Sequence, residues 1–433
     1  MVSFCADAPL AQLAEQLTLN QWVPGSSPGG RTELLGKTPP PLTHGSTSLL
    51  ASCQKHRKGG TAAQRFLTGG VFCSVWAGLD SNDFDSCEFR NTVLGIVQVN
   101  EKEPGNLMSE SDLKIGVVGA GIMGSGHVEY LTRDVAGVSV VAIAEPNESL
   151  TQSLLNRLEI ECASFNSLES MLDGAHLDGV VIASPDRFHA ESIRMCFSRN
   201  MPTLCEKPLA QTLLDGEELS KLANESLSEV GRPLVHLGFM RRFDPPLVEV
   251  RKVIHSKQFG ELLYVNASTR NVHSPSIKSE ELLTNIAVHE LDTMRWLLSD
   301  EWSELTVLKG RTTRSAPQGT QDPIVLTGKM EGGVAIVADI FANNTYGYDV
   351  RCEFTFENAV LRLGIWGDLS IVQNLNFPES PGFKLGDNWI ARFRKAYIHE
   401  LVEWSETLRG KESKDLATVD DGLKALQVIN WVM

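Results

Sequence analysis

Apolar and polar positions alternate regularly only in the part of the chain that begins near Leu113. Five short apolar runs there have the length of buried strands: Leu113–Val118, Val138–Ala144, Gly179–Ala183, Pro202–Cys205 and Pro233–Leu237. Stretches of helical character lie between them, at Ser125–Arg133, from near Arg187, and at Leu213–Leu227. Apolar strands that alternate with helices predict a parallel, doubly wound α/β sheet, a Rossmann domain that we assign to residues 112–235.

Residues 1–107 have no lasting apolar period, and Gly, Pro, Ser and Thr crowd the stretch Pro24–Thr47. Such a composition predicts disorder. A second hypothesis comes from the codons: Ala11–Gln16 and Pro24–Pro28 can be encoded by strings that resemble the D-arm and the T-arm of a tRNA gene, in the right order. The segment is then a translated tRNA gene with a spacer, and the protein starts at Met108. A genuine disordered extension is the alternative.

Composition changes this picture mainly by exclusion. The chain of 433 residues can hold two full cores, and its formal charge of -15 argues against a nucleic-acid or anionic-membrane partner. No apolar run has the length of a membrane span, and no signal peptide opens the chain. The eight cysteines are scattered without a CxxC pair, which favours free thiols and a cytoplasmic setting. No HExxH, CxxC or facial-triad spacing supports a metal site.

A glycine motif follows the first predicted strand directly. Gly119, Gly121 and Gly124 form a G-x-G-x-x-G at the start of a predicted helix, and the second strand ends at Glu145. In this context the glycines allow a tight turn, a close approach of a pyrophosphate and close packing of helix on strand. Glu145 can accept hydrogen bonds from ribose hydroxyls and would repel a 2′-phosphate, so the sequence predicts NAD rather than NADP.

Further motifs carry a resemblance to a known family. Glu206-Lys207-Pro208 follows the glycine motif by about ninety residues. It is joined by five later stretches: Gly238–Asp244 (GFMRRFD), Arg270-Asn271, Val288–Asp292 (VHELD) running into Arg295–Leu298, Tyr346–Asp349 (YGYD), and Trp389…Arg392-Phe393…Ala396-Tyr397…Glu400. Together they resemble the Gfo/Idh/MocA oxidoreductases, and within them the inositol 2-dehydrogenase branch. The match runs from Leu113 to near the C-terminus.

The resemblance implies a second α+β domain with a large open, mainly antiparallel sheet over residues 236–433, used for substrate binding and for homo-oligomer assembly. The sequence fits: helices are expected at Pro245–His255, Thr284–Leu298 and Asn388–Leu408, and strands at Glu261–Ser268, Leu305–Leu308, Ile324–Met330, Val334–Phe341, Cys352–Phe356 and Val360–Leu363. The chain ends inside an expected helix, Gly422–Met433, so this domain is either truncated or naturally shorter.

The resemblance also assigns chemistry to three residues. Lys207 lies beside the expected nicotinamide and hydrogen-bonds the reacting hydroxyl, and His289 is the candidate base, since its ordinary pKa suits reversible proton transfer. Asn285 stands four residues before His289, on the same helical face, where the inositol enzymes usually carry Asp. The cofactor residues expected are Gly119, Gly121, Ile122, Met123, Gly124, Glu145, Ser184, Pro185, His189, Glu206, Lys207 and Pro208. The substrate residues expected are Lys207, Met240, Arg241, Asn271, Asn285, His289, Tyr346 and Tyr348.

The function implied is NAD-dependent oxidation of a secondary hydroxyl of a cyclic polyol or sugar, with myo-inositol first among the candidates. Two alternatives stay open: another sugar or keto-sugar oxidoreductase of the same family, and a non-catalytic NAD(H)-binding sensor. The presence of Lys207 and His289 argues against a sensor, whereas Asn285 in place of the usual Asp argues for one.

Overall fold

The computed structural model describes residues 112–364, 369–372 and 388–433, and the backbone of three strands in the N-terminal unit Met1–Asn100. These strands form an antiparallel sheet in chain order: β1 (Arg57–Lys58), β2 (Thr61–Thr68) and β3 (Val71–Ala77). The sequence predicts disorder for residues 1–107 and did not indicate these strands, because the single apolar run Val71–Trp76 is too isolated to show a period. The start proposed at Met108 lies outside the described residues and stays a prediction.

The first domain of the remaining chain is a parallel sheet. Its strands are β4 (Leu113–Val118), β5 (Val138–Ala144), β6 (Ala163–Phe165), β7 (Gly179–Ile182), β8 (Thr203–Glu206) and β9 (Val235–Gly238). Their order in space is β6-β5-β4-β7-β8-β9, so the winding reverses between β4 and β7. A ligand crevice is expected at such a switch point, outside the carboxyl ends of the strands. The predicted Rossmann architecture is confirmed.

Five helices cover the two faces of this sheet: α1 (Ile122–Arg133), α2 (Glu148–Leu158), α3 (Leu168–Gly174), α4 (His189–Ser198) and α5 (Leu213–Val230). Side-chain caps fix where three of them begin, since Asn147, Ser167 and Thr212 accept from the amides of Ser149, Ser170 and Asp215. Gly231 ends α5 with a positive φ. The short elements α3 and β6 were not expected, because seven and three residues are too few to show a period.

The second domain contains a seven-stranded sheet. Its strands are β10 (Leu262–Arg270), β11 (Trp302–Lys309), β12 (Ile324–Met330), β13 (Ala335–Phe341), β14 (Asp349–Phe356), β15 (Val360–Leu363) and β16 (Leu369–Val372). The spatial order is β11-β12-β13-β10-β14-β15-β16, and only the β10–β13 pair is parallel. Three helices accompany the sheet: α6 (Pro245–Ser256), α7 (Val288–Leu298) and α8 (Trp389–Leu408). The large, mainly antiparallel sheet is therefore confirmed.

The end of the chain returns to the first domain. Strand β17 (Ala417–Thr418) pairs antiparallel with β9, and helix α9 (Val419–Asn430) packs against α5. A division of the chain at residue 235 therefore separates segments that share one sheet. A strand of two residues leaves no trace in an apolar pattern, so the sequence could not indicate this return. Among the described residues no helix is both long and apolar enough to cross a bilayer.

Helix α8 also belongs to the core of the first domain. Its Trp404 is fully buried in one apolar cluster with Val117, Val181 and Leu204 of the parallel sheet. Full burial of an aliphatic side chain stabilises a fold by about 1.5–3 kcal/mol. This packing places the N-terminal end of α8 beside the carboxyl ends of the strands, where the crevice opens.

Candidate active site

The glycine loop after β4 has the geometry that a dinucleotide needs. Gly119 has a φ of +94°, and a Cβ there would lie 2.7 Å from the carbonyl oxygen of Ala183. A Cβ at Gly124 would lie 1.9 Å from the Gly119 carbonyl oxygen, so the helix can pack here only with glycine. Gly121 faces open space, with nothing within 4 Å of a Cβ. Free space and unpaired amides at a helix N-terminus fit a bound pyrophosphate.

A cavity of about 840 Å³ surrounds this loop. Of the expected cofactor residues, the structure places Gly119, Gly121, Met123, Glu145, Ser184 and Pro185 in its wall. The carboxylate of Glu145 accepts hydrogen bonds from the amides of Ala120, over 3.0 Å, and Asn147, over 2.9 Å. It is therefore held at the end of β5, next to the glycine loop.

Some expected cofactor residues act from outside these walls. Ile122 is 71% exposed at the start of α1, whereas Gly124 and Pro208 are packing positions. His189 is buried, with its Nδ1 2.7 Å from the carbonyl oxygen of Pro208 and its Nε2 2.9 Å from that of Ser184. It thus braces two loops of the crevice, with both ring nitrogens next to backbone carbonyl oxygens, at the edge of the second cavity described below.

A second cavity, of about 410 Å³, adjoins the first and shares Met123, Ala183 and Ser184 with it. Its wall holds most of the expected catalytic and substrate residues, which are Lys207, Met240, Arg241, Asn271, Asn285, His289 and Tyr348. They come from both domains and extend along the chain from Lys207 to Tyr348. A group bound here would lie directly beside the end of the cofactor cavity.

Lys207 enters this cavity just after the end of β8. Its Nζ donates a hydrogen bond to the backbone carbonyl oxygen of Asn285 over 3.1 Å. Burial lowers the pKa of Lys207 below its ordinary value of 10.5, and the carboxylates of Glu206 and Asp186 oppose that shift. A buried ammonium group is a strong hydrogen-bond donor towards an oxygen that gains negative charge.

His289 faces Lys207 across the cavity. Burial, with the charges of Lys207 and Arg241, holds the pKa of His289 well below its ordinary value of 6.5. The imidazole is therefore neutral at neutral pH and can accept a proton. Its Nδ1 is buried and has no hydrogen-bond partner among the described residues.

The sequence predicts a regular α-helix over Thr284–Leu298, but Asn285 does not lie on one. Residues Leu282–Ala287 form a π-helical segment that runs into α7. Such segments interrupt the regular ladder of backbone bonds and are frequent at functional sites. Here the carbonyl oxygen of Asn285 accepts the hydrogen bond from Lys207, while Asn285 still lines the cavity together with His289.

Arg241 is held rigidly at the cavity wall. Its Nη1 donates to Glu290 over 2.6 Å, and its Nη2 donates to the Thr269 hydroxyl over 3.1 Å. All three side chains are buried. Because the guanidinium is paired with a carboxylate, it can offer hydrogen bonds without leaving an uncompensated charge in the core.

Tyr346 is not brought to the cavity, although the sequence pairs it with Tyr348. Its side chain is 46% exposed, and its hydroxyl accepts a hydrogen bond from Arg270 over 2.8 Å. Tyr348 is buried in the wall. The two tyrosines flank Gly347, whose φ is +131°, and this turn sends their side chains to different places.

Sequence reasoning missed several residues of the site. The cavity is also lined by Asp186, Thr269 and Ile286, and by Trp389 and Tyr397, which the sequence linked to the family without a role in the site. His127, which was given no role, lies behind the cavity with its Nε2 2.8 Å from Glu206. The signal for α8 was present, because its buried positions, Phe393, Ala396, Tyr397, Glu400 and Trp404, recur with a helical period.

No cluster of three or more His, Cys, Asp or Glu side chains that could hold a metal occurs in the part of the chain that the structure describes. The four cysteines in this part are free, and Cys162, at intermediate burial, is the least buried of them.

Known proteins resemble this chain in both domains. A family model described as the oxidoreductase family, NAD-binding Rossmann fold, matches residues 113–230, and the GFO/IDH/MocA C-terminal domain matches residues 247–362. Inositol 2-dehydrogenase 4 from Saccharopolyspora erythraea is 32% identical over 303 residues, which cover 70% of this chain and 87% of the relative. The chain belongs to the Gfo/Idh/MocA oxidoreductase family.

Other Gfo/Idh/MocA members agree with this assignment. Inositol 2-dehydrogenase 2 from Paenarthrobacter aurescens is 33% identical over 314 residues, covering 72% of this chain and 92% of the relative. The crystal structure of myo-inositol dehydrogenase from Lactobacillus casei, in complex with NAD(H) and myo-inositol, has a TM-score of 0.66 at 24% identity. The match covers 74% of this chain and 93% of the Lactobacillus casei chain, and it supports the fold. As a Gfo/Idh/MocA oxidoreductase, this chain binds NAD, and the glycine loop and Glu145 fit that cofactor.

Proposed function

We propose that this chain oxidises a secondary hydroxyl of a cyclic polyol, with myo-inositol converted to the 2-keto inositol as the first candidate reaction. One observation carries the proposal: Lys207, His289 and Asn285 meet in a single cavity that adjoins the cofactor cavity. The inositol 2-dehydrogenases among the relatives support the choice of substrate.

Oxidation of an alcohol requires a hydride to leave carbon and a proton to leave oxygen. Bound NAD supplies the hydride acceptor. Neutral His289 takes the hydroxyl proton, because its low pKa keeps the ring unprotonated at neutral pH. In its ammonium form Lys207, held by the Asn285 carbonyl, donates a hydrogen bond to the oxygen as it gains alkoxide character.

Recognition of a polyol needs hydrogen-bonding groups spread around a ring. The cavity wall offers them from several directions, through the guanidinium of Arg241, the amides of Asn271 and Asn285, and the hydroxyl of Tyr348. Met240 adds an apolar contact. About 410 Å³ is ample for a six-carbon ring, which fits a monocyclic substrate.

A substrate screen tests the proposal. The purified full-length protein is mixed with NAD or NADP and with myo-, scyllo- or D-chiro-inositol, glucose and other sugars, and reduction is followed at the nicotinamide absorbance. We expect NAD reduction with an inositol at an ordinary enzyme rate, about 1 s⁻¹ or faster. Activity only with a different sugar would select the wider family chemistry instead.

The second candidate is the non-catalytic sensor. One observation favours it: the second domain presents amides, Asn271 and Asn285, but no carboxylate among the cavity residues that the structure describes. NAD binding without turnover of any polyol would select the sensor.

We further propose a homo-oligomer in the cytoplasm. The outer face of the second sheet exposes Tyr264, Leu308 and Val337, whereas the opposite face buries Ile336, Ala338 and Ile340. A broad, partly apolar sheet face of this kind suits contact with a second copy. Light scattering on the wild type and on Val337→Glu tests this, and a wild type that is monomeric at all concentrations contradicts it. The free cysteines support a reducing compartment.

A further inference from the structure

His127 lies on the helix that follows the glycine loop and faces the catalytic strand. It is 1% exposed, on α1, with its Nε2 2.8 Å from the Oε1 of Glu206. Glu206 is 6% exposed and is the last residue of β8. The two residues are 79 positions apart in the chain, so the pair joins the cofactor helix to the strand that directly precedes Lys207.

Two buried side chains of α8 accompany the His127–Glu206 pair. Tyr397 of α8 packs edge-on against the His127 ring, with the ring centres 5.9 Å apart. Glu400 of the same helix is fully buried, and neither of its carboxyl oxygens has a partner among the described residues. Burial and the charge of Glu206 raise the pKa of Glu400 well above its ordinary value. The direction of this shift favours the neutral acid form of Glu400 beside the Glu206 carboxylate.

The charge of the Glu206 carboxylate acts on Lys207, the next residue of the chain. Glu206 and Asp186 oppose the lowering of the Lys207 pKa by burial, whereas Arg241 adds to the lowering. Lys207 has to stay protonated to donate a hydrogen bond to the reacting oxygen. A carboxylate fixed beside it favours that state, but only while the carboxylate itself has a hydrogen-bond donor in the buried site.

We propose that His127 is a positioning residue for the reaction, because it fixes the Glu206 carboxylate and through it the charge and orientation of Lys207. The inference rests on the polyol oxidation proposed above. It also gives a physical link between the two halves of the cleft, since the helix that begins at the pyrophosphate site carries the residue that orders the catalytic strand end.

The test compares three variants in steady-state oxidation of the polyol that the substrate screen identifies. His127→Leu removes the donor, His127→Gln keeps an N–H near the position of Nε2, and His176→Leu makes the same change at an exposed histidine of the same domain. For His127→Leu we expect kcat to fall by about 10- to 100-fold, while the Kd for NAD changes little. His127→Gln should recover most of the loss, and His176→Leu should match the wild type.

The pH profile separates positioning from a merely structural role. Without its donor the Glu206 carboxylate is no longer fixed beside Lys207, so the pKa of Lys207 falls and the falling limb of kcat/KM moves to lower pH. An unmoved limb with wild-type kcat in His127→Leu overturns the inference. If His127→Leu does not fold by itself, it is combined with Glu206→Gln and compared with Glu206→Gln alone. In that background His127→Leu should not move the falling limb of kcat/KM any further, and a further shift overturns the inference as well. A wild type that oxidises no polyol contradicts the proposed function itself.

Discussion

The cofactor half of the cleft and the substrate half are built in different ways. The cofactor half is centred on a short stretch, from Gly119 to Glu145, in which Gly119 and Gly124 are required by the backbone and Gly121 leaves space for the ligand. The substrate half collects side chains from β8, β10, the π-helical segment, α7 and the start of α8. A local motif can therefore identify the cofactor, whereas the reaction depends on contacts between distant segments.

The largest effect should come from Lys207, where the two halves meet. Lys207→Met removes the donor to the reacting oxygen, and we expect kcat/KM to fall by about a thousandfold. The Kd for NADH, measured by fluorescence titration, should stay within a few-fold, because the pyrophosphate loop is untouched. Lys221→Met, at a lysine that is 78% exposed on α5, is the matched control. A loss of NADH affinity with unchanged turnover would assign Lys207 to the cofactor instead.

His289 should have the next largest effect, confined to the substrate half. In His289→Ala the hydroxyl proton has no base, and we expect kcat to fall by about a hundredfold with NAD binding intact. Stopped-flow measurement of the first turnover shows whether the chemical step is the one that slows. If the variant keeps most of its activity, Lys207 or water is the base, and the roles given above are wrong.

Gly121 isolates the cofactor half. A Cβ there meets no protein atom within 4 Å, so Gly121→Ala should fold normally but crowd the pyrophosphate. We expect the Kd for NAD to rise by about ten- to a hundredfold, the equivalent of an overpacking cost of roughly 1–3 kcal/mol. Gly126→Ala on the same helix is the control, since its Cβ only touches the Tyr130 ring at 3.6 Å. Equal affinities in the two variants would mean that the cofactor does not approach this loop.

Asn285→Asp sharpens the account of the base. A carboxylate beside the ring favours the imidazolium, so the pKa of His289 should rise from its present low value. Because the ring must be unprotonated to act, the rising limb of kcat/KM should move to higher pH, by about one unit. If the limb stays in place, the two side chains are not coupled, and Asn285 belongs to substrate recognition.

The smallest effect is expected at Glu145. Its carboxylate lies at the end of β5, where it would repel the 2′-phosphate of NADP. Glu145→Ser should raise kcat/KM with NADP several-fold but leave NAD preferred, because no Arg follows to bind the phosphate. A wild type that already uses both cofactors equally would contradict this role of Glu145.

The fold was predictable where apolar runs are long enough to show a period. The observed bounds of β4, β5, β12 and β15 are the predicted ones. The return of β17 to the first sheet was not predictable, because two residues carry no pattern and their pairing is set by the packing of α9 on α5.

The candidate site shows the same limit. The sequence indicated Lys207, Asn285 and His289 through motifs, but not the π-helical segment that turns the Asn285 carbonyl to Lys207. It also gave His127 no role, because a histidine in an amphipathic helix does not show which side chain lies opposite. Tyr346 was expected in the wall and lies outside it, since the sequence does not show in which direction the backbone turns at Gly347.

The central claim is that this cleft moves a hydride from a ring carbon of a polyol to NAD. The most direct measurement mixes the full-length protein with NAD and myo-inositol deuterated at carbon 2, and follows both products by mass spectrometry. We predict NADH that carries the deuterium, together with an equal amount of the 2-keto inositol. Unlabelled NADH would contradict the proposed carbon, and absence of NADH with every polyol tested, while NAD still binds, would contradict catalysis itself.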